Sequence, residues 1–584
     1  FVNVKVDREE RPDVDAIYMD AVQAMTGQGG WPMTVFLTPE GEPFWAGTYF
    51  PKEERHGMPA FTRVLRAIAE AWRERRDEIG EQGRKVVEAI GRRVRPSEEP
   101  LTEEVLDEAF AGLRASFDPE HGGFGGAPKF PQPMTLEFLF RMHLRGREGA
   151  LEIATRTLGG MAAGGIRDVL GGGFHRYSVD AAWLVPHFEK MLYDNAQLTL
   201  AYLHAFQLTG EERHRDVASE TLEYLLRDLR HERGGFFSSE DADSEGEEGR
   251  FYVWSWNELV SAVGQDEARA LGGRPEGNWE GTNVLHGESP PRAVRERLLA
   301  IRAERVRPAT DDKVLAGWNG LAIRALAEAG AALEEPRYVE AAVLAARFVL
   351  EEMRREDGRL LRAWRDGRTS GPAYAHDHAL LSAGLLALYE ATLDHRWFEA
   401  ARVLADDLLR LFHDEEHGGF FETGADAEEL VIRPKELLDN AVPAAGSVAA
   451  EVLQRLSMLT GDARYERAAT SALEQVRGVM GRAATGLGHA LSAADLSLSP
   501  SREIAIVGDP ADERTGALLR EARRRYLPNA VLAGGGPDDT AAVAAIPLLQ
   551  DRELVDGAPA AYVCEGFVCR RPITEPAELA AELG

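Results

Sequence analysis

A polar segment, Pro186–Gln197, stands directly before an apolar run that is typical of a helix, Leu198–Leu208. It brings an imidazole, carboxylates, an ammonium group and amides to the start of that helix. The first turn of a helix presents unpaired N–H groups and the positive end of a dipole, which favour anionic or hydroxyl-rich ligands. This combination predicts that the helix start has a function.

The pattern returns elsewhere in the sequence. Asp194-Asn195-Ala196 is matched by Asp439-Asn440-Ala441, each before an apolar segment that ends in Leu-Thr-Gly. Weaker versions occur at Trp318-Asn319-Gly320 and His376-Asp377-His378. If these segments begin parallel helices of one barrel, their polar residues meet around a single cavity.

The residue types in these segments are those that recognise sugars, because carboxylates accept hydroxyl groups and aromatic faces cover C–H surfaces. The predicted catalytic residues are His187, Glu189, Asp194, Asp377 and Asp439. The predicted ligand-binding residues are His175, Arg176, Trp183, Lys190, Asn195, Asp241, Asp243, Trp254, Trp318, Asn319, His376 and Asn440. A small molecule or an oligosaccharide is therefore the expected ligand.

Two reactions fit this inventory. Hydrolysis of a glycosidic bond needs one protonated and one ionised carboxyl group, separated by a distance that sequence does not give. Epimerisation needs two bases on either side of a carbon next to a carbonyl group, for which His187 and His376 form the better pair. Whether the barrel is an enzyme at all stays open at this point.

Structural roles compete with these functions. Asp194 and Asp439 are also good helix N-caps, and Glu189 and Lys190 can form a local ion pair. Trp254 and Trp318 can equally be core residues. Asp241–Glu245 resembles the start of a calcium loop but lacks its remaining ligands. His376 and His378 are spaced poorly for zinc. No metal and no cofactor is predicted.

The elements that position these residues form a repeating series of helices. Apolar helices rich in Ala, Gly and Leu alternate with amphipathic ones, and Gly-Gly-Phe recurs between them at residues 122–124, 172–174, 234–236 and 418–420. Alternating inner and outer helices predict an (α/α)6 six-hairpin toroid over residues 100–498. Residues 238–316 interrupt the pattern. Lysine is rare beside arginine, so Lys129, Lys190, Lys313 and Lys435 are expected to include at least one specific point charge.

Both ends of the chain have α/β character. In residues 1–92, we expect a strand at Phe1–Asp7, a helix to Met25, two strands around Pro39–Glu42 and one helix over Pro59–Ile79, followed by a charged linker. This order is the second half of a thioredoxin fold, in which Pro32 would be a cis-proline; an ordinary trans loop is the alternative. Residues 499–584 predict a small α/β extension.

Composition limits the possible partners. The net charge of −30 lacks the basic surface that nucleic acids require, and no apolar run is long enough for a membrane span. The 2 cysteines among 584 residues exclude a disulfide framework. Cys564 and Cys569 are expected to be separate thiols, and a reducing, cytoplasmic location is the simplest interpretation.

Several sequence segments resemble the spermatogenesis-associated protein 20 family of thioredoxin-domain proteins with a six-hairpin barrel. They are Lys5–Asp13, Met25–Pro32, Pro186–Asn195 and Tyr562-Val563-Cys564 with Cys569. The resemblance covers the whole chain and implies a thioredoxin-like unit, an (α/α)6 barrel shaped like those of sugar epimerases and glycosidases, and a C-terminal extension. It also implies a Cys-His-Trp-Cys segment before Phe1, so we expect this chain to be truncated at its N-terminus. No settled reaction follows from the resemblance.

Two functions are therefore carried forward. In the first, the barrel binds or acts on a carbohydrate. In the second, the protein is a thiol redox or client-binding protein whose barrel is a non-catalytic scaffold for the thioredoxin-like unit.

Overall fold

The computed structural model describes residues 1–55, 57–91, 96, 97 and 99–584. The chain divides into two compact units, one of Phe1–Arg95 with Leu411–Glu436 and the other of Pro96–Arg410 with Leu437–Gly584. The predicted linker falls partly outside the described residues, and its first part is helical. None of the helices in the described ranges has the length and hydropathy that a membrane span requires.

The N-terminal unit contains a two-stranded antiparallel sheet and three helices. They are α1 Pro12–Thr26, β1 Thr34–Leu37, β2 Pro43–Gly47, α2 Phe61–Glu74 and α3 Arg76–Ile90. Phe36 and Phe44 from the strands pack with Val64, Ile68 and Ile79 from the two last helices. The Trp31–Pro32 peptide bond is cis. The predicted thioredoxin-like order of helix, hairpin and helix is therefore present.

Two expectations for this unit are wrong. Residues 1–7 do not form a strand, and most of them are exposed, because a strand needs a neighbour with which to exchange hydrogen bonds and none pairs with it in the described chain. The single helix predicted over Pro59–Ile79 is two helices, separated at Arg75, whose backbone has non-helical torsion angles.

The second unit begins with a long series of helices. They are α4 Glu103–Ser116, α5 Pro133–Leu144, α6 Ala150–Ala163, α7 Leu192–Thr209, α8 Glu212–Tyr224 with a π-turn at Leu225–Leu229, α9 Trp256–Val263, α10 Gln265–Ala270, α11 Arg292–Arg302, α12 Ala316–Ala332, α13 Pro336–Glu352, α14 Ala375–Thr392, α15 His395–Leu411, α16 Ala445–Thr460, α17 Ala463–Met480 and α18 Gly488–Leu498.

Six of these described helices form a closed inner ring in the order α5, α7, α12, α14, α16 and α18, since each packs against the next and α18 packs against α5. Outer helices α6, α8, α13 and α17 pack on the inner helix that precedes each of them, and α4 packs on α17 and α18. Helix α15 covers α14 through a Tyr389–Phe398 ring contact. The predicted (α/α)6 toroid is confirmed.

The closest approach in the ring is between α12 and α14, and glycine permits it. A Cβ atom on Gly320 would lie 2.5 Å from the backbone of Leu380, and one on Gly384 would lie 2.4 Å from the carbonyl oxygen of Gly320. A larger residue at either position would push the two backbones apart. The small residues of the inner helices are thus a requirement of the ring.

Short strands connect the helices on one side of the ring. They are β3 Tyr177–Ser178, β4 Pro186–His187, β5 Lys190–Met191, β6 Ser239–Glu240, β7 Asp243–Ser244, β8 Glu247–Glu248, β9 Thr310–Asp311, β10 Val314–Leu315, β11 Leu361–Arg365 and β12 Arg368–Pro372. Residues 238–316, which interrupt the helical repeat, contain α9, α10 and α11 around a core that includes Trp254, Leu259 and Leu298.

A repeated turn joins outer to inner helices. In Asp168–Phe174, the carboxylate of Asp168 caps the turn and the ammonium group of Lys190 donates to that carboxylate at 2.9 Å and to the carbonyl oxygen of Gly172 at 3.0 Å. Lys129 and Lys435 make the same two contacts with the turns that begin at Asp118 and Asp414. The expected point-charge lysines are therefore confirmed, and their role is structural.

The C-terminal extension is a four-stranded sheet with helices. Its elements are β13 Arg502–Val507, α19 Glu513–Arg523, β14 Ala530–Gly535, α20 Thr540–Ala545, β15 Ala560–Glu565, β16 Val568–Cys569 and α21 Pro576–Leu583. The strand order is β14-β13-β15-β16, with β13 and β14 parallel and the others antiparallel. Cys564 and Cys569 form a disulfide bond between β15 and β16, so the expectation of two separate thiols is wrong.

Candidate functional site

The starts of α7, α12 and α14 lie side by side at one end of the inner ring. The rings of Tyr193 and Trp318 are 4.7 Å apart in an edge-to-face contact. The backbone N–H of Gly317 donates to Asp377 at 2.9 Å. The structure thus brings three of the polar helix starts together, and we call this end of the ring the mouth.

Asp194 lies in the first turn of α7, is only 5% exposed, and no described group hydrogen-bonds to its Oδ2 atom. Burial raises the pKa of this carboxyl group well above its ordinary value, and Glu189 raises it further while Arg176 lowers it. A buried carboxyl group without a partner for its charge stays protonated into a higher pH range. Asp194 is therefore suited to donate a proton.

His187, Glu189, Arg176 and Glu248 form a half-exposed cluster beside Asp194. Arg176 donates to Glu189 at 2.8 Å, and His187 Nδ1 lies 2.6 Å from Glu248. His187 Nε2 is 3.7 Å from the same Glu189 oxygen, and its ring stacks on Tyr177. Glu189 pairs with Arg176 rather than with Lys190, so the expected Glu189–Lys190 pair is wrong. The cluster supplies carboxyl groups, an imidazole and a guanidinium group at the mouth.

His376 lies in the first turn of α14 and is 8% exposed, and no described group hydrogen-bonds to its Nε2 atom. Burial lowers its pKa to about 4, and the nearby Arg362 guanidinium contributes in the same direction. The imidazole is therefore neutral at pH 7 and can accept or donate one hydrogen bond. His376 and Asp194 lie on helices that both contact α12.

Asp377 and Asp439 hold the backbone at the mouth. Asp377 accepts from Arg362 at 2.5 Å and from the backbone N–H of Tyr374 and of Gly317. The two oxygens of Asp439 accept from the backbone N–H of Ala444 and of His489. The oxygens of both carboxylates accept hydrogen bonds in caps, which favours a positioning role over the predicted catalytic one.

The repeated Asp-Asn-Ala segments are not equivalent. Asp194 lies inside α7, whereas α16 begins only at Ala445, after the segment that contains Asp439 and the exposed Asn440. Gln197 on α7 nevertheless reaches this segment, because its amide donates to the carbonyl oxygen of Ala441 at 2.9 Å. Since α7 and α16 lie opposite each other in the ring, this hydrogen bond brings the second segment to the mouth.

Asn195 and Asn319 act as clamps. The amide of Asn195 accepts from the backbone N–H of Phe174 at 2.6 Å and donates to the carbonyl oxygens of Phe174 and Met191. Asn319 repeats this pattern on Phe236 and Leu315. Both side chains are fully buried, and these hydrogen bonds fasten Gly-Gly-Phe turns to inner helices.

Five other predicted ligand-binding residues lie outside the first turns of the inner helices. Trp183 and Trp254 are completely buried core residues. His175 is enclosed by the rings of Phe188 and Tyr252, and burial lowers its pKa to about 3. Asp241 and Asp243 are both exposed, Asp241 just before β7 and Asp243 as its first residue. In the described chain no group of three or more His, Cys, Asp and Glu residues could hold a metal ion.

Four residues at the mouth are absent from the sequence-based candidates: Tyr193, Gln197, Glu248 and Arg362. Tyr193 and Gln197 lie within the polar segment that starts α7, so their position in the sequence could have identified them as candidates. Glu248 and Arg362 reach the mouth from the short strands β8 and β11. No periodicity marks such strand residues, because their neighbours are set by chain folding.

A second polar region lies at the opposite end of the ring, where a cavity of about 160 Å³ lies between the inner helices and the C-terminal extension. His204 stands in its wall between Glu137 at 2.8 Å and Glu328 at 3.1 Å. Tyr526 of the extension donates to Glu137 at 3.0 Å. Burial alone would lower the pKa of His204, but the two carboxylates raise it to about 9.

This arrangement predicts a pH-dependent stability. The pKa of His204 is higher in the folded than in the unfolded chain, so its stabilisation is complete below about pH 6.5 and is lost as the pH rises through about 9. We expect the free energy of unfolding to fall by about 2–3 kcal/mol across this range. Urea titrations at pH 6.5, 8 and 9.5 should show a smaller fall in His204→Gln than in wild type. Equal slopes in the two proteins would contradict the assignment.

Comparisons with known proteins agree with the two-part architecture. Residues 1–91 match the model Thioredox_DsbH, described as a protein of unknown function, DUF255. Residues 381–499 match the model of glycosyl hydrolase family 47.

Relatives match over nearly the full chain. Human spermatogenesis-associated protein 20 is 38% identical over 99% of this chain and 82% of its own length, and the rat protein is 36% identical over the same shares. Among solved structures, D-mannose isomerase aligns with a TM-score of 0.45 at 13% identity over 64% of this chain and 84% of that chain. Unsaturated glucuronyl hydrolase from Bacillus sp. GL1 aligns with a TM-score of 0.39 at 14% identity over 64% and 82%.

Proposed function

The chain belongs to the spermatogenesis-associated protein 20 family, and from its barrel we propose that it binds a carbohydrate at the mouth and acts on it by acid–base catalysis. The thioredoxin-like unit and the six-hairpin barrel define the architecture, and the proposal concerns the barrel.

One observation carries this proposal. Three buried polar atoms at the starts of two inner helices have no hydrogen-bond partner in the described chain: Asp194 Oδ2, Gln197 Oε1 and His376 Nε2. Buried polar groups are nearly always paired, and unpaired ones cluster where a ligand completes the pairing. Sugar hydroxyl groups both donate and accept, so one ring can satisfy a protonated carboxyl group, an amide oxygen and a neutral imidazole together.

The chemistry follows from the different surroundings of the carboxyl groups. Burial raises the pKa of Asp194 well above its ordinary value, whereas Glu189 is less buried and forms an ion pair with Arg176 at 2.8 Å. A buried carboxyl group that favours its protonated form, beside a carboxylate held in an ion pair, is an arrangement suited to an acid and a base. Asp194 is the proposed acid, and the cluster of Glu189 and His187 supplies the base.

The aromatic pair at the mouth supports a sugar rather than a simple anion. Tyr193 and Trp318 come from adjacent inner helices and lie between the groups on α7 and those on α14. Both are nearly buried, with 3% and 6% of their surface exposed. Their remaining exposed edges offer an apolar contact for the C–H atoms of a sugar ring, beside the polar atoms that would bind its hydroxyl groups.

Calorimetric titration of the purified protein with neutral hexoses, amino sugars, uronic acids and disaccharides tests the proposal. We expect at least one sugar to bind, and His376→Ala to weaken its binding about tenfold, because a lost hydrogen bond to a buried group costs about 1–1.5 kcal/mol. His395→Ala, at the start of the outer helix α15, is the matched control and should bind like wild type. A folded wild-type protein that binds none of the sugars would refute the proposal.

The match of residues 381–499 to glycosyl hydrolase family 47 supports a sugar ligand, because that family's name describes enzymes that hydrolyse glycosides. The match covers most of α14 and the helices α15 to α18. The alternative, a redox protein with a scaffold barrel, stays a prediction. The N-terminal unit as given contains no cysteine, since the 2 cysteines of the sequence are Cys564 and Cys569.

A further inference from the structure

The disulfide bond of the C-terminal extension lies in a short hairpin at the edge of a sheet. Cys564 in β15 and Cys569 in β16 face each other in the antiparallel register, and β16 is the last strand of the sheet. Four residues lie between them, of which Gly566 and Phe567 form the turn. An edge hairpin is accessible to another protein in a way that the centre of a sheet is not.

The hairpin is held together without the disulfide. The carboxylate of Glu503, itself 2% exposed, accepts from the backbone N–H of Gly566 at 3.1 Å and of Phe567 at 2.8 Å. The backbone N–H of Arg570 donates to the carbonyl oxygen of Val563 at 3.0 Å. These bonds fix the turn and the strand after it, so two free thiols would remain facing each other after reduction.

The extension does not depend on the disulfide for its core either. Ile504, Ile506, Leu518, Leu532 and Leu579 are buried together in a cluster that includes residues of both sheet and helices. A disulfide stabilises chiefly by restricting the unfolded chain, and a loop as short as this one offers little restriction. A structural staple is therefore a poor explanation for a bond placed at this point.

The two sulfur atoms differ in access. Cys564 is 3% exposed, whereas Cys569 is half-buried and follows Val568, which is 76% exposed. Both cysteines line a groove of about 1360 Å³, which also includes Arg502, Arg570 and Glu582. An incoming thiolate can therefore reach the Cys569 sulfur more readily than the Cys564 sulfur.

We propose that Cys564 and Cys569 form a reversible thiol–disulfide exchange site whose substrate is a protein dithiol of the thioredoxin type. The thiolate of the partner attacks Cys569 Sγ, the Cys564–Cys569 bond breaks, and Cys564 leaves as a thiolate that takes up a proton. The second thiol of the partner then attacks the partner sulfur that is bonded to Cys569 Sγ. This bond breaks, and Cys569 leaves as a thiolate that is protonated. The partner is oxidised to a disulfide and this pair is reduced by two electrons and two protons.

A dithiol is the expected substrate because of the proximity of the two cysteines. In a mixed disulfide with a monothiol such as glutathione, the neighbouring Cys564 thiolate attacks Cys569 again and expels the monothiol. A dithiol escapes this reversal, since its second thiol competes within the same complex.

The test uses the oxidised full chain with bacterial thioredoxin, its reductase and NADPH. We expect one NADPH to be consumed per native chain, and two alkylated cysteines by mass spectrometry afterwards. Glutathione with its own reductase should act at least tenfold more slowly. Cys564→Ser should consume none, and a thioredoxin whose second cysteine is replaced should reduce the wild type at least tenfold more slowly than the dithiol form, because Cys564 expels it from the mixed disulfide.

Two further results decide the matter. Glu503→Gln should slow reoxidation of the reduced pair by oxidised thioredoxin several-fold, because the turn is then less well held. A chain that consumes NADPH only after unfolding in guanidinium would overturn the proposal. Reduction that unfolds the C-terminal extension would overturn it as well. The proposal would also be overturned if oxidised thioredoxin could not convert the two reduced cysteines back into the disulfide.

Discussion

Replacing Asp168 by asparagine is expected to destabilise the barrel by about 3–5 kcal/mol, the typical cost of removing one partner from a buried charge cluster. Asp168 accepts from Lys190 at 2.9 Å and from Arg302 at 2.8 Å, and all three side chains are at least nine-tenths buried. Asparagine keeps the shape but removes the anion that Lys190 and Arg302 both contact directly. The same substitution removes the charged cap of the turn before Phe174.

The wild-type cluster also predicts a contribution to the free energy of unfolding that is lost in acid. Burial alone would raise the pKa of Asp168, but Arg302 and Lys190 hold it well below its ordinary value. Its stabilisation is therefore complete above about pH 4, the pKa of an unfolded aspartate, and is lost as the pH falls further. Asp168→Asn should lack this part of the acid transition.

Urea unfolding at pH 7 and pH 2.5, followed by circular dichroism, measures both effects. Glu296→Gln is the control, because it breaks the exposed Arg292–Glu296 pair on α11 and exposed pairs contribute little. An Asp168→Asn protein that unfolds at the same urea concentration as wild type would contradict the assigned role of the cluster.

The order of the helices was predictable because it depends on local patterns. The Gly-Gly-Phe turns end one helix and begin the approach to the next, and Gly172 and Gly173 adopt the positive φ values that glycine favours. The alternation of apolar and amphipathic helices correctly indicated inner and outer positions. The ring could be anticipated from these features, since each is visible within about forty residues of sequence.

The partners of buried polar groups were not predictable in the same way. Asn195 looks like a ligand-binding residue in sequence, yet it clamps Phe174, which lies 21 residues earlier in the chain. The disulfide likewise depends on the register of β15 and β16, which brings Cys564 opposite Cys569. Such contacts are set by how distant segments pack, so residue type and spacing alone leave functional and structural roles indistinguishable.

The mouth contains both a carboxyl group with a structural role and one that is a candidate for catalysis. Asp194 and Asp377 occupy the first turns of inner helices and are indistinguishable by type or by position in the helix. In the structure Asp377 is satisfied by Arg362 and two backbone amides, whereas Asp194 has an oxygen with no described partner. Only the neighbours separate a positioning carboxylate from a candidate catalytic one.

This contrast leads to a paired prediction. Asp194→Asn is expected to reduce kcat/KM at least about a hundredfold on the sugar that the calorimetric panel identifies, the usual effect of losing a positioned acid. The same variant should not lose stability. Burial raises the folded-state pKa of Asp194, so the wild type loses stability as the pH rises above about 4, where the unfolded aspartate is ionised. Asparagine removes that cost.

Asp377→Asn is the matched control and should behave in the opposite way. Its carboxylate accepts from Arg362, Gly317 and Tyr374, and weakening these bonds leaves the buried guanidinium of Arg362 without its charged partner. We expect a loss of about 3–5 kcal/mol in the free energy of unfolding at pH 7. Urea unfolding of the two variants beside wild type makes the comparison. If Asp194→Asn unfolds as readily as Asp377→Asn, both carboxylates hold the fold, and the mouth has no free acid with which to do chemistry.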